Sequence, residues 1–214
     1  MKKRYLRAVL LLLGIAGIAF YAFFPSGKKV KCIEADFVNI RSYGEAALAE
    51  TEPFAFKCYL SNESEHCGIG FSFAETGESK NWNLMDSLVL NLKNSEDFKE
   101  IIVQILTLTD HSYMKPFLKE LHLTGAKRYS IAMEHFYTPD YWYEQQKAKN
   151  IHNTKNFSAV AGMEIFSGWK NPTDIPLELK IESLCLEGAN NISFVALVIY
   201  LAILIATAIS VRIR

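Results

Sequence analysis

Two uninterrupted apolar segments, one near each end, constrain this chain more than any other feature. Residues 6–24 read LRAVLLLLGIAGIAFYAFF, with a single charge, Arg7, at the edge; residues 192–211 read ISFVALVIYLAILIATAISV, with none. A bilayer core of about 30 Å is crossed by ~20 apolar residues at a rise of 1.5 Å each. A buried helix of that length in a globular protein keeps a polar face, so both segments are predicted to span a membrane. A cleaved signal peptide would share the basic start, Lys2, Lys3, Arg4 and Arg7. The stretch FYAFFPSG offers no small-x-small cleavage site, however, because Phe20 lies two residues before Ala22. The first segment therefore reads as a signal anchor.

Charge supports one orientation. The 23 basic and 23 acidic residues cancel overall, but six of the basic ones lie at the two ends. The 17 basic and 23 acidic residues between Pro25 and Asn191 leave that middle at −6. Such a balance excludes a nucleic-acid footprint. Arg212 and Arg214 follow the second segment and four basic residues precede the first, against Lys28, Lys29 and Lys31 after it. By the positive-inside bias, residues 1–5 and 212–214 are expected in the cytoplasm and residues 25–191 outside it. Membrane lipid is then a partner.

The middle reads as one all-β domain. PFAFKCYL (53–60), HCGIGFSF (66–73), SLVLNL (87–92), EIIVQILTL (100–108), YSIAMEHFY (129–137), SAVAGMEIF (158–166) and PLELKIESLCLE (176–187) are apolar or alternating runs between turn residues. With VKCIEADFV (30–38) they make about eight strands, which argues for an antiparallel β-sandwich of jelly-roll type. Residues 139–152 read as a short helix or an excursion from the sheet. Four cysteines suit an oxidising compartment. Pairing 53–60 with 66–73 as a hairpin sets Cys58 opposite Cys67, Phe56 opposite Ile69 and Phe54 opposite Phe71, so both apolar faces coincide. Cys32 and Cys185 lie on the first and last strands, which should be neighbours if both ends return to the membrane; the alternative is a pair of free core thiols.

The stretches NWNLMDSLVLNLKN (81–94), IVQILTLTD (102–110), HFYTPDYWYEQQ (135–146), NFSAVAGMEIFSG (156–168) and LELKIESLCLEG (177–188) follow one another in an order that resembles the galactose-binding-like, carbohydrate-module jelly roll. The aromatic Pro139-x-x-Trp142 loop and the Phe157-Ser158-x-Val160 strand carry the likeness. Bacteria place such domains between two spans of membrane sensors. The resemblance implies a sensory input domain in a bacterial inner membrane; the family's cytoplasmic effector does not follow the second segment here, which leaves open a separate effector, a truncated gene or a fragment of a longer protein. The alternative is a tethered carbohydrate- or envelope-protein-binding subunit without signalling.

Catalytic motifs are absent: no G-x-S-x-G, Walker A loop, G-x-G-x-x-G or His-Glu-x-x-His occurs. No enzyme activity, metal or cofactor is expected. Glu34 and Asp36 share a strand face that could hold calcium, but a solvated acidic edge is the commoner outcome. His135 and Glu134, adjacent in a strand, would point to opposite faces. Trp82, Tyr137, Tyr141, Trp142 and Trp169, all in loops, form the candidate ligand-binding set, because sugar rings stack on exposed aromatic faces; the competing reading makes Trp142 or Tyr137 a core plug. In the second apolar segment Ala202, Ala206 and Ser210 recur every four residues. That stripe is expected to join two copies into a homodimer, or else to receive the first segment of the same chain.

Overall fold

The computed structural model describes residues 13–14, 17, 28–49, 52–62, 65–73, 78–109, 114–146, 155–189, 198, 200–202 and 205. The chain divides into two compact units, Val30–Glu187 and a second formed by Met1–Lys29 with Gly188–Arg214.

Among the described residues, alternating apolar runs become eleven strands in two antiparallel sheets. They are β1 (Lys28–Cys32), β2 (Asn39–Tyr43), β3 (Ala47–Ala49), β4 (Glu52–Tyr59), β5 (Gly68–Ser72), β6 (Ser87–Asn94), β7 (Glu100–Leu108), β8 (Met114–His122), β9 (Arg128–Ala132), β10 (Val160–Ser167) and β11 (Pro176–Ala189). A short helix, α1 (Asp140–Gln145), falls where the sequence allowed one. One sheet has the order β3-β4-β11-β6-β9, with β1 also on β11; the other has the order β2-β5-β10-β7-β8. Period-two alternation turns Leu88, Leu90 and Leu92 of the first sheet toward Ile69, Phe71, Val103, Ile105, Met163 and Ile165 of the second, and all are buried in one core. In β11 the inward positions change parity, from Leu177, Leu179 and Ile181 to Leu184 and Leu186. A bulge between Ile181 and Ser183 absorbs the extra residue and keeps the apolar side chains inside.

The strands missing from the sequence reading, β2, β3 and β8, are all sheet edges. Edge strands carry polar residues and proline because one side of their backbone has no ladder partner; Pro116 in β8 and Arg41 in β2 blur the alternation accordingly. The run 30–38 is not one strand, since a 3-10 turn, Glu34–Asp36, separates β1 from β2. Met133–His135 is likewise a 3-10 turn, so Glu134 and His135 do not point to opposite faces; both are exposed with Oε1 and Nε2 3.8 Å apart.

Both expected disulfides are present, neither for the reason expected. Cys32 pairs with Cys185, and β1 does lie beside β11. Cys58 pairs with Cys67, but β4 and β5 are not a hairpin: β4 pairs β3 and β11, whereas β5 pairs β2 and β10. The bond therefore staples one sheet to the other.

In the smaller unit, Leu13, Gly14, Gly17, Val198, Tyr200, Leu201, Ala202 and Ile205 are helical. The Tyr200 hydroxyl donates to the Leu13 carbonyl, and a Cβ on Gly17 would fall 2.2 Å from the Tyr200 ring. Among the described residues no helix is long and apolar enough to cross a membrane. That overturns the expected two-span inner-membrane topology, since a helical crossing needs one continuous apolar helix of about 20 residues. The segments 6–24 and 192–211 lie mostly outside the described residues. Of the small-residue stripe, Ala202 is helical and exposed, while Ala206 and Ser210 lie outside the described residues.

Candidate functional site

The five candidate aromatics separate into two groups. Trp82 (3% exposed) and Trp142 (4%) are core residues. Trp82 meets Phe73 edge-on at 5.8 Å, and Trp142 satisfies its indole N–H on the Met114 carbonyl at 3.0 Å, as a buried tryptophan must. Neither ring is open to a ligand. Tyr137 (42%), Tyr141 (50%) and Trp169 (58%) are exposed. These three flank the outward face of the five-stranded sheet.

That face is built by strand register. Arg41, Gly70, Glu164, Gln104 and Leu118 are consecutive partners across β2, β5, β10, β7 and β8, and Tyr137 bridges to Leu118 beyond the edge. The adjoining row runs Tyr43, Gly68, Phe166, Ile102, Glu120. Ile102 and Leu118 point away from the core yet are buried, so the face is recessed. A hollow of about 160 Å³, lined by Arg41, Gly70, Ser72, Leu106, Met114 and Gly162, opens beside Glu164. A larger groove of about 720 Å³ lies between the 95–99 turn and the 123–127 loop. Its walls mix Lys93, Lys99 and Lys127 with Glu96 and Glu182, and its one ring, Phe98, is buried. It lacks an exposed aromatic surface for a ligand.

Glu164 is the centre of the recessed face. One carboxylate oxygen accepts the Tyr43 hydroxyl and, at 3.2 Å, an Arg41 N–H; the other accepts the Gln104 amide at 2.5 Å. The Arg41 guanidinium also lies 4.9 Å over the Tyr43 ring. Burial, then the Glu164 hydrogen bond and charge, pushes the Tyr43 phenol far above its ordinary value, so Tyr43 stays a neutral hydroxyl. Tyr137 donates to Glu120 at 2.5 Å, and chiefly that bond pushes its phenol up to about 12. Burial raises Tyr141 too, with the Glu164 charge contributing, which brings α1 within electrostatic reach of the central carboxylate. At the far end Trp169 meets His66 edge-on at 4.1 Å, and His66 meets Phe166 at 5.6 Å. The result is a sheltered strip of carboxylate acceptors and guanidinium donors between exposed rings, a chemistry that suits a neutral polyhydroxylated ligand.

The acidic residues expected on the first strand lie in the 3-10 turn after it and have other work. Asp36 pairs with Lys31 at 2.5 Å, and Glu34 accepts the Leu184 N–H. Glu34 also lies beside Cys32 and Cys185, but both sulfurs are bonded to each other.

Sequence reasoning missed Arg41, Tyr43, Gln104 and Glu164. A signal was there: single polar residues within otherwise apolar strands (Gln104 in EIIVQILTL, Glu164 in VAGMEIFS) beside strand glycines. Gly68 and Gly70 both lie in β5.

No protein-family model matches the chain, and no curated protein sequence does. Among solved structures it is similar to a family 11 carbohydrate-binding module from Clostridium thermocellum, determined in complex with a β-1,3-1,4-mixed-linked tetrasaccharide. The TM-score is 0.51 at 14% identity, over 78% of this chain and 98% of that one. It is also similar to a family 30 carbohydrate-binding module, with a TM-score of 0.50 at 9% identity over 71% and 93% of the two chains. At such identities the likeness shows the fold: an antiparallel β-sandwich resembling the carbohydrate-binding-module jelly roll. The jelly-roll sandwich that the sequence resemblance implied therefore stands. The two-span sensor part does not, because no described helix is able to cross a membrane. The homodimer expected from the Ala202, Ala206 and Ser210 stripe and the effector implied by the resemblance gain no support from these likenesses.

Proposed function

We propose that residues 30–187 form a binding domain for a neutral glycan, held along the outward face of the five-stranded sheet. The observation that carries this reading is the Glu164 centre: a recessed carboxylate, oriented by Tyr43, Arg41 and Gln104, between the exposed rings of Tyr137, Tyr141 and Trp169. Glu164 Oε2 keeps one lone pair beyond the Gln104 amide, and Arg41 keeps N–H groups, for vicinal hydroxyls. The tyrosine and tryptophan rings offer apolar faces for stacking at little cost in side-chain entropy. The family 11 module, solved with its β-1,3-1,4-mixed-linked tetrasaccharide, supports an oligosaccharide of that linkage as the first ligand to try. The carboxylates of the face, Glu164 and Glu120, are engaged with donors, which supports a binding role. Titration of the protein with a panel of soluble glycans, followed by calorimetry, tests this. Wild type should bind at least one member, and Glu164→Gln should lose about tenfold or more, since hydrogen bonds to a charged group are worth about 1.5–3 kcal/mol. Equal binding by the two proteins refutes the assigned face.

A further inference from the structure

Glu100, the first residue of β7, is buried although it is charged. A buried carboxylate persists where partners compensate its desolvation, and the partners of Glu100 converge on one turn. Its Oε2 accepts the backbone N–H of Lys170 at 3.3 Å, and its Oε1 faces the Lys170 ammonium at 3.6 Å and Nδ1 of His122 at 3.1 Å. Nε2 of His122 lies 3.2 Å from the same ammonium. A neutral imidazole with its proton on Nδ1 satisfies both neighbours. The Glu100 backbone holds the turn as well: its carbonyl accepts Gly168 N–H at 2.9 Å and the Asn171 amide at 2.7 Å. A Cβ on Gly168 would fall 2.4 Å from Glu100 Cγ, so the turn lies directly on the carboxylate's stem. The residue presented by this turn is Trp169, exposed at the end of the proposed face.

We propose that Glu100 is the positioning residue for Trp169 in glycan binding: its buried carboxylate fastens the 168–171 turn and so fixes where the indole stands. The inference rests on the glycan-binding reading of the face. His66, edge-on to Trp169, braces the indole from the sheet side, while Glu100 holds its backbone from beneath.

The test uses the full chain, with a mixed-linkage β-1,3-1,4-glucan tetrasaccharide as probe and two readouts. Trp82 and Trp142 are buried, so iodide-quenchable indole emission reports Trp169. In Glu100→Gln the anisotropy of that emission should fall in the absence of ligand, and affinity should drop about fivefold, as for Trp169→Ala. The double variant should bind no more weakly than Trp169→Ala alone, a coupling that general loosening of the sandwich would not produce. Gly168→Ala, which forces the turn away from Glu100 while keeping the carboxylate, should reproduce both effects if Glu100→Gln does not fold. Unchanged anisotropy, or a double variant weaker than Trp169→Ala, overturns the inference while leaving the glycan reading intact. A wild-type protein that binds neither the tetrasaccharide nor any other glycan of the panel overturns both.

Discussion

The Tyr43 hydroxyl reaches the Glu164 carboxylate across an intervening strand: β2 and β10 are not neighbours, and β5 lies between them with Gly70 at the crossing. A Cβ on Gly70 would sit 2.6 Å from the Tyr43 ring. The missing side chain is what lets the phenol lie flat over the sheet and reach Glu164.

Gly70→Ala should therefore act on the face before it acts on the fold. The ring has to swing outward and Glu164 loses a donor, so affinity for a bound glycan should fall while the far-UV spectrum is retained. The strain should cost about 1–3 kcal/mol in urea unfolding. Tyr43→Phe, which removes the donor without strain, separates the two effects.

Exposure should separate the tryptophans. Trp142→Ala leaves a cavity under α1 and an unpartnered Met114 carbonyl, and should destabilise the domain by about 3–5 kcal/mol. Trp169→Ala should change stability by less than about 0.5 kcal/mol and be felt in glycan binding. Chemical denaturation of the two variants side by side checks this.

Tyr137 should titrate late. Its phenol lies at about 12, above the ordinary value of about 10, because the neutral hydroxyl donates to Glu120. A raised folded value means that the stabilisation is fully present below pH ~10 and is lost as pH climbs through about 12. Absorbance near 295 nm should show a tyrosinate step there that Tyr137→Phe abolishes and Glu120→Gln moves toward pH 10.

The two disulfides should differ in what their removal costs. Cys32–Cys185 closes a separation of 153 residues and Cys58–Cys67 one of nine. On the chain-entropy account these correspond to roughly 5 and roughly 3 kcal/mol. Paired Cys→Ser variants compared by urea unfolding should keep that order; equal losses would assign the short bridge's value to its sheet-to-sheet contact instead.

Local alternation was sufficient for the long central strands. The apolar positions of β6, β7, β10 and β11 announce strands because period two is a property of neighbouring residues; the pairing of Cys32 with Cys185, expected only with both ends at a membrane, is decided by β1 lying beside β11. Edge strands were illegible for the converse reason, since Pro116 and Arg41 stand where no ladder partner demands alternation. Only the tertiary structure decided that β4 and β5 part company into different sheets, that Trp82 and Trp142 turn inward while Trp169 turns out, and that a bulge at 181–183 reverses the parity of β11. It alone brought Arg41 and Tyr43 to Glu164, more than 120 residues away in the chain. No local pattern encodes such a meeting, because strand order depends on how connections cross between sheets, and a side chain's exposure depends on what other segments pack against it.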